Sequence, residues 1–291
     1  MAESTIPVDL FNPGQVFACL GFMELADVLL GDAEAGFDWS DKSHTSFRLT
    51  ANGGEDPIKT AISFIVCAEL KSVSPSAGVI NTKKWNIATR EIAMDEGFAS
   101  PLPESPATLP IELANDGAIF MVDHWGDGTI RDNVKFWAGA GGYPGAALWR
   151  DAVDLAKDRA VASFRDPFAL SAPQSSSFRF DWRRDYIPLD VGFSPNEHNE
   201  IKMVGHPLVE LFAAIGLSHA RPFRPTRRDK LSYRYSVIGS SQKNSPLLPP
   251  TFLRAALGAA KLPFPQRTFC MSMGWPGQEN QARCITTVTE E

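Results

Sequence analysis

Between Pro13 and Leu30, Val16, Phe17, Leu20, Leu25, Val28 and Leu29 recur at near-helical spacing. Asn12 is a good N-cap, Pro13 suits the first helical position, and Gln15 can reach back to the Asn12 amide in a capping box. Gly31 can end the helix. Glu24 and Asp27 are its only charges, so the pattern predicts a mostly buried 18-residue helix.

Residues 46–50 alternate and predict a strand, and 57–70 predict a second apolar helix. Four prolines within 101–110 predict a loop. Residues 118–125, AIFMVDHW, predict a strand, Asp127-Gly128 a turn, and 129–137 its hairpin partner. A helix is expected over 146–164, with Trp149, Val153, Ala156 and Ala160 as its apolar stripe. Residues 166–177 read as a loop. In 178–183, Phe178, Phe180 and Trp182 alternate with Arg179, Asp181 and Arg183, the pattern of a half-buried strand. His206 is placed to cap a helix that Gly216 stops. Residues 231–238 alternate as a strand, 252–260 form a short helix, and 267–288 give strands around a turn at 274–277. Without a regular βαβ rhythm, the order favours an α+β fold. The expectation is a mixed, largely antiparallel sheet packed with several short helices and one long buried N-terminal helix. Residues 1–291 read as one unit, either whole or in two lobes: 1–165, acidic and carrying the N-terminal helix, and 166–291, carrying a basic patch.

Charge sharpens that division. Residues 1–145 hold 9 Lys and Arg against 20 Asp and Glu, whereas 146–291 hold 19 against 14. A chain of net charge −6 does not bind nucleic acid through its overall field. A local patch can do so, and the densest runs from Arg221 to Lys243. It contains Arg221, Arg224, Arg227, Arg228, Lys230, Arg234 and Lys243 against Asp229 alone, interleaved with Phe223, Tyr233 and Tyr235. Gln242, Lys243 and Asn244 follow the strand, and side chains of these types read base edges.

Other chemistry is sparse. The loop 139–145 holds Gly141 and Gly142 ahead of a helix and can present backbone amides to a phosphate, but it fits neither the Walker A nor the dinucleotide-binding pattern. Asp123, His124, Asp127 and Asp132 cluster around the expected hairpin, where turn chemistry explains them better than a metal does. No Gly-x-Ser-x-Gly elbow occurs. The four cysteines form no C-x-x-C pair; Cys19 and Cys67 read as core residues of a protein from a reducing cytoplasm. No secretory signal or membrane span is read from the chain, and no catalytic constellation emerges.

Three segments carry a family resemblance: IPVDLFNPGQVFACLGFMELADVLLG (6–31), SFRFDWRRDYIPLDVGFSPNEHN (177–199) and HPLVELFAAIGLSHARPFRP (206–225). Together they resemble the CRISPR-associated Csb-three family of type I-U (I-G) systems, a compact counterpart of the Cascade large subunit. The resemblance implies a non-catalytic subunit without a cofactor or metal. Its implied partners are the backbone and handle-binding Cascade proteins, CRISPR RNA at its 5′ handle, double-stranded target DNA beside the protospacer-adjacent motif (PAM), and a helicase-nuclease; no membrane is involved. Such a subunit would support opening of the duplex into an R-loop. The residues expected to touch nucleic acid come from chemistry alone: Arg221, Arg224, Arg227, Arg228, Lys230, Tyr233, Arg234, Gln242, Lys243, Asn244, Gly141 and Gly142. Two other readings stay open, a metal-dependent nuclease or phosphohydrolase using Asp123–Asp132 and an adaptor that contacts protein only.

Overall fold

A computed structural model describes residues 1–41, 43–76, 80, 82–93, 106, 109–124, 143–174, 177–183, 203–226, 228–229, 231–242, 246–274 and 283–291. The chain begins with β1 (Ala2–Pro7), α1 (Pro13–Leu30), β2 (Glu34–Asp38) and β3 (Ser46–Ala51). There follow α2 (Pro57–Cys67), β4 (Glu69–Pro75), β5 (Ala88–Ile92), β6 (Ile111–Asn115) and β7 (Ala118–Val122). The second half holds α3 (Gly145–Ala160), β8 (Ala172–Pro173), β9 (Val204–Gly205), α4 (Pro207–His219), β10 (Ser232–Ser240), α5 (Pro250–Leu257), β11 (Gln266–Gly274) and β12 (Cys284–Glu290). This is an α+β fold.

The larger sheet has the order β1-β3-β2-β10-β11-β12. Its neighbours are antiparallel except β2 and β10, which run parallel where Phe37 and Asp38 meet Gly239 and Ser240. Three strands come from each half of the chain, so the halves share one sheet. A second sheet has the order β5-β4-β6-β7, and β8 pairs with β9.

The two most buried helices, α1 and α4, cross at glycines. A Cβ on Gly21 would stand 1.9 Å from the Phe212 carbonyl oxygen, and one on Gly216 would stand 2.1 Å from that of Phe17. Hydrogen in place of a side chain lets the two backbones touch. Phe22 and Phe212 stack beside the crossing with centroids 3.6 Å apart. Gly216 therefore does not stop α4, which continues to His219; its place in the sequence reflects packing. α1 is long and apolar enough to cross a membrane by length and composition, yet 78% of it is buried inside the protein.

Several local expectations change. Asn12 makes no side-chain cap bond to α1. Its amide instead donates to Asp181 at 2.9 Å, and Gln15 accepts from the Asp9 amide rather than from that of Asn12. His206 likewise forms no cap bond; its Nδ1 faces Asp181 at 3.6 Å. α2 ends at Cys67, because Ala68 turns extended and β4 begins. Cys19 is core, but Cys67, at the helix end, is exposed. Residues 178–183 are not a strand. Phe178 and Phe180 stack in the core at 5.6 Å, Arg179 between them takes φ 66°, and the Phe180 and Asp181 amides donate to the buried Glu210 carboxylate at 3.1 and 3.2 Å. The alternation records a segment wedged between helix starts. β7 pairs with β6 through a turn at Asp116-Gly117, both at positive φ. The expected partner at 129–137, the turn at 127–128, most of the 101–110 loop and the 275–277 part of the last turn lie outside the described residues.

Candidate nucleic-acid interface

The basic segment leaves α4 at its C-terminus. There the Ser218 hydroxyl donates to the Ala214 carbonyl and accepts from the Asp123 and His124 amides at 3.1 and 3.2 Å, tying the helix end to the end of β7. Arg221 donates to the His124 carbonyl at 3.4 Å. Phe223 then meets Arg234 of β10 in a reciprocal pair, each amide donating to the other's carbonyl at 2.7 Å. Residues opposed in this way present their side chains on the same face. On β10 the inward face belongs to Tyr233 and Tyr235, so Phe223 and Arg234 share the outward one. Phe223 is 48% exposed.

Arg224 is half-buried and Arg228 exposed on the loop that follows. The loop closes when the Asp229 carboxylate accepts from the Leu231 amide at 2.8 Å, starting β10. The Ser232 hydroxyl, then the Leu231 and Ser232 amides, hold the Asp229 carboxyl below its ordinary range. Arg234 reaches Glu291 at 2.8 Å across the outward face. Both groups are exposed, so the pair gives way easily to a phosphate.

Two expected contacts change character. Tyr233 is 1% exposed, its ring turned into the core, and cannot meet nucleic acid; strand alternation puts it on the opposite face from Arg234. Tyr235, buried beside it, donates to the Leu10 carbonyl at 2.8 Å. Gln242 is exposed, but at the far end of β10. Eight residue steps at 3.4 Å put Ser240, the last strand residue before it, about 27 Å from Ser232. A base reader at Gln242 and phosphate contacts at Arg224 and Arg228 would thus engage well-separated places on a duplex. Arg227, Lys230, Lys243, Asn244, Gly141 and Gly142 lie outside the described residues.

Sequence reasoning missed the charged cluster that anchors this edge. Glu24, 1% exposed on α1, accepts both guanidinium arms of Arg254 from α5, one of them at 2.6 Å. His219 Nδ1 stands 3.4 Å from the same carboxylate. Burial lowers the His219 pKa, against the opposing pull of Glu24 and Asp123 and with the help of Arg254. Burial also raises the Asp123 carboxyl, which His219 and Arg221 partly offset. The only sequence signal was an acid inside an apolar helix.

His124 is 6% exposed, its ring edge-on to Phe178 at 6.1 Å and Phe180 at 5.3 Å. Burial, then the charge of Arg221, pushes its pKa well down. Asp127 and Asp132 lie outside the described residues, among which no group of three His, Cys, Asp or Glu side chains is placed to hold a metal. A cleft of about 490 Å³ between the β1–α1 connection and Phe168 contains Arg183 and Arg267, but Asp181 and Glu290 already engage both guanidinium groups. No family model, curated protein or solved structure matches the chain.

Proposed function

We propose that the chain is a non-catalytic, nucleic-acid-contacting subunit of a type I-U/I-G CRISPR surveillance complex. It works in the cytoplasm beside the guide RNA handle and the PAM-side duplex, supporting R-loop formation and recruitment of a helicase-nuclease. The observation that carries nucleic-acid contact is the Phe223–Arg234 pair. An exposed ring stands on a backbone held by two hydrogen bonds, beside a guanidinium on the same face, with Arg224 and Arg228 on the adjoining loop. An exposed ring stacks on an unpaired base and guanidinium groups hold phosphates. That combination suits the junction where a duplex opens.

The resemblance supplies the complex, and the packing supports reading its three segments together. α1 from the first segment crosses α4 from the third, while Asp181 from the second is held by Asn12 and by α4's Glu210.

The test is to assemble the subunit with its sister Cascade proteins and guide RNA and measure target binding. Arg228→Ala should weaken binding to all targets alike and reduce the salt slope by about one charge. Gln242→Ala should lower discrimination between correct and incorrect PAMs, by about 1–3 kcal/mol if a bidentate base contact is lost. The lone chain should bind DNA at best on the order of 10⁻⁴–10⁻⁶ M at physiological salt. Failure to co-purify with guide RNA and sister subunits would refute membership of the complex. Co-purification with no effect from Phe223→Ala, Arg224→Ala or Arg228→Ala would leave a protein-only adaptor.

A further inference from the structure

A second basic and aromatic site stands in the acidic half of the chain. From Leu70 to Arg90 the sequence has Lys71, Lys83, Lys84 and Arg90 and no acid, whereas the remainder of 1–145 has 5 basic and 20 acidic residues. Lys71 and Arg90 are engaged by Glu69 and Glu112 at 3.0 and 2.6 Å. Lys83 and Lys84 are exposed on a single 3₁₀ turn, Lys83–Trp85, whose third residue is a half-buried tryptophan.

This turn is built rigidly. Thr82 is fully buried, and its hydroxyl donates to the Ile87 carbonyl at 2.9 Å while meeting the Thr89 hydroxyl at 2.7 Å, closing the base of the loop. Asn86 closes the other side in the left-handed region at φ 56°. Arg150 of α3 donates to the Trp85 carbonyl from below and is itself fixed by Asp151 at 2.7 Å. Tyr143 meets the Trp85 ring edge-on at 6.4 Å, its hydroxyl bonded to Asp151 at 2.8 Å. The Lys84 ammonium lies 5.4 Å from the centre of the Trp85 ring.

The turn leads directly into β5, one outer strand of the four-stranded sheet. Arg221 is bonded beyond the end of β7, the opposite outer strand. Thr89, Ser72, Ile111 and Val122 align across that sheet, so three strand spacings, about 14 Å, separate the two edges.

We propose that the Lys83-Lys84-Trp85 turn is a binding site for single-stranded nucleic acid, with the lysines on phosphates and the tryptophan against a base. A single strand is the fitting ligand because a stacking plane needs an unpaired base. The site does not depend on the Phe223 edge, though one displaced strand could touch both.

The experiment uses the purified full-length chain at low salt with labelled oligothymidylate and oligouridylate as probes. Lys83→Ala/Lys84→Ala should lower the slope of log affinity against log salt by about 1.4, two charges at about 0.7 each for single strands. Trp85→Leu should weaken binding roughly five- to a hundredfold, the loss of one stacked base. Lys157→Ala/Lys261→Ala, removing two exposed lysines elsewhere, is the charge-matched control and should leave the slope unchanged. Because both lysines of the turn are exposed, the double variant tests the site even if Trp85→Leu unfolds. Loss on either probe sustains the site, and the stronger probe identifies DNA or RNA as its ligand. No measurable binding, or a slope unmoved by the double lysine variant, overturns it. Loss in Phe223→Ala and Arg228→Ala alone would overturn this site and leave the Phe223 edge standing; loss in the turn variants alone would do the reverse.

Discussion

The α1–α4 crossing and the 221–234 edge are adjacent in the chain and opposite in kind. At the crossing, backbones touch through Gly21 and Gly216, aromatic rings stack, and the charge of Glu24 is met by the Arg254 guanidinium with the His219 imidazole beside it. At the edge, the Phe223 ring and Arg228 are exposed and Arg224 and Arg234 half-buried, on a segment held by a few backbone bonds. The first region spends its side chains on itself, so substitutions there should act on folding. The second carries an exposed ring, an exposed arginine and an ion pair at the surface, so substitutions there should act on partners.

The sharpest way to break this contrast is Leu20→Asp. Leu20 is 3% exposed on α1, and an unpaired buried charge should cost about 3–5 kcal/mol or more, a large share of a typical domain's stability. A variant that melts like the parent would show that α1 is not the central helix. Gly21→Ala comes next. Its Cβ would meet a backbone oxygen that no rotamer change can move, so the cost should approach about 3 kcal/mol, the upper end of overpacking. Chemical denaturation measures both.

Acidification probes the seam between the regions. Burial lowers the pKa values of His124, His206 and His219 in the folded chain. Each takes a proton less readily in the fold than in the unfolded chain, where it titrates near pH 6.5, so stability is full above that pH and falls as pH drops. Each such proton contributes up to about 1.4 kcal/mol per pH unit. The Asp181 carboxyl adds a loss of the same sign at lower pH. Burial opposes its ionisation, but Arg183 and His206 outweigh that and hold it below its ordinary value of 3.8. Urea midpoints on either side of pH 6.5 should show the decline, and His124→Asn should flatten it whatever its effect on absolute stability.

The smallest expected effect on folding is at the edge. Phe223→Ala should change stability by no more than about 0.5 kcal/mol. In the assembled complex it should still weaken binding by about 1–3 kcal/mol per stacked base. A large fall in melting temperature would show that the exposed ring is structural and erase the contrast.

Legibility in the sequence followed the same division. α1 emerged with its bounds intact because its spacing, its proline and its terminal glycine all pointed one way. The bounds of α3 and β10 were recovered within a few residues for similar reasons. What failed depended on distant partners. The Phe178–Arg183 alternation matched a strand by period, but its amides are taken by Glu210, thirty residues on in the chain. β6 went unread after the proline-rich stretch, although Asn115-Asp116-Gly117 carried a hairpin signal of its own. At the site, composition found the basic segment but could not say which face of β10 each side chain takes. Tyr233 and Arg234, adjacent in sequence, therefore fall on opposite sides of that reading.

The partnership of α1 with α4 also sets an order of events during synthesis. α1 leaves the ribosome early, but the helix that covers its glycine face begins only at Pro207. At about 5–20 residues per second, the intervening chain takes roughly 10–35 s to make. The large sheet waits longer still, since β10, β11 and β12 supply half its strands and come last. For that interval the longest apolar helix of the nascent chain lacks the cover that α4 gives it. A holding chaperone on the nascent chain, or early synthesis of a partner subunit, would govern yield more than the stability of the finished molecule does.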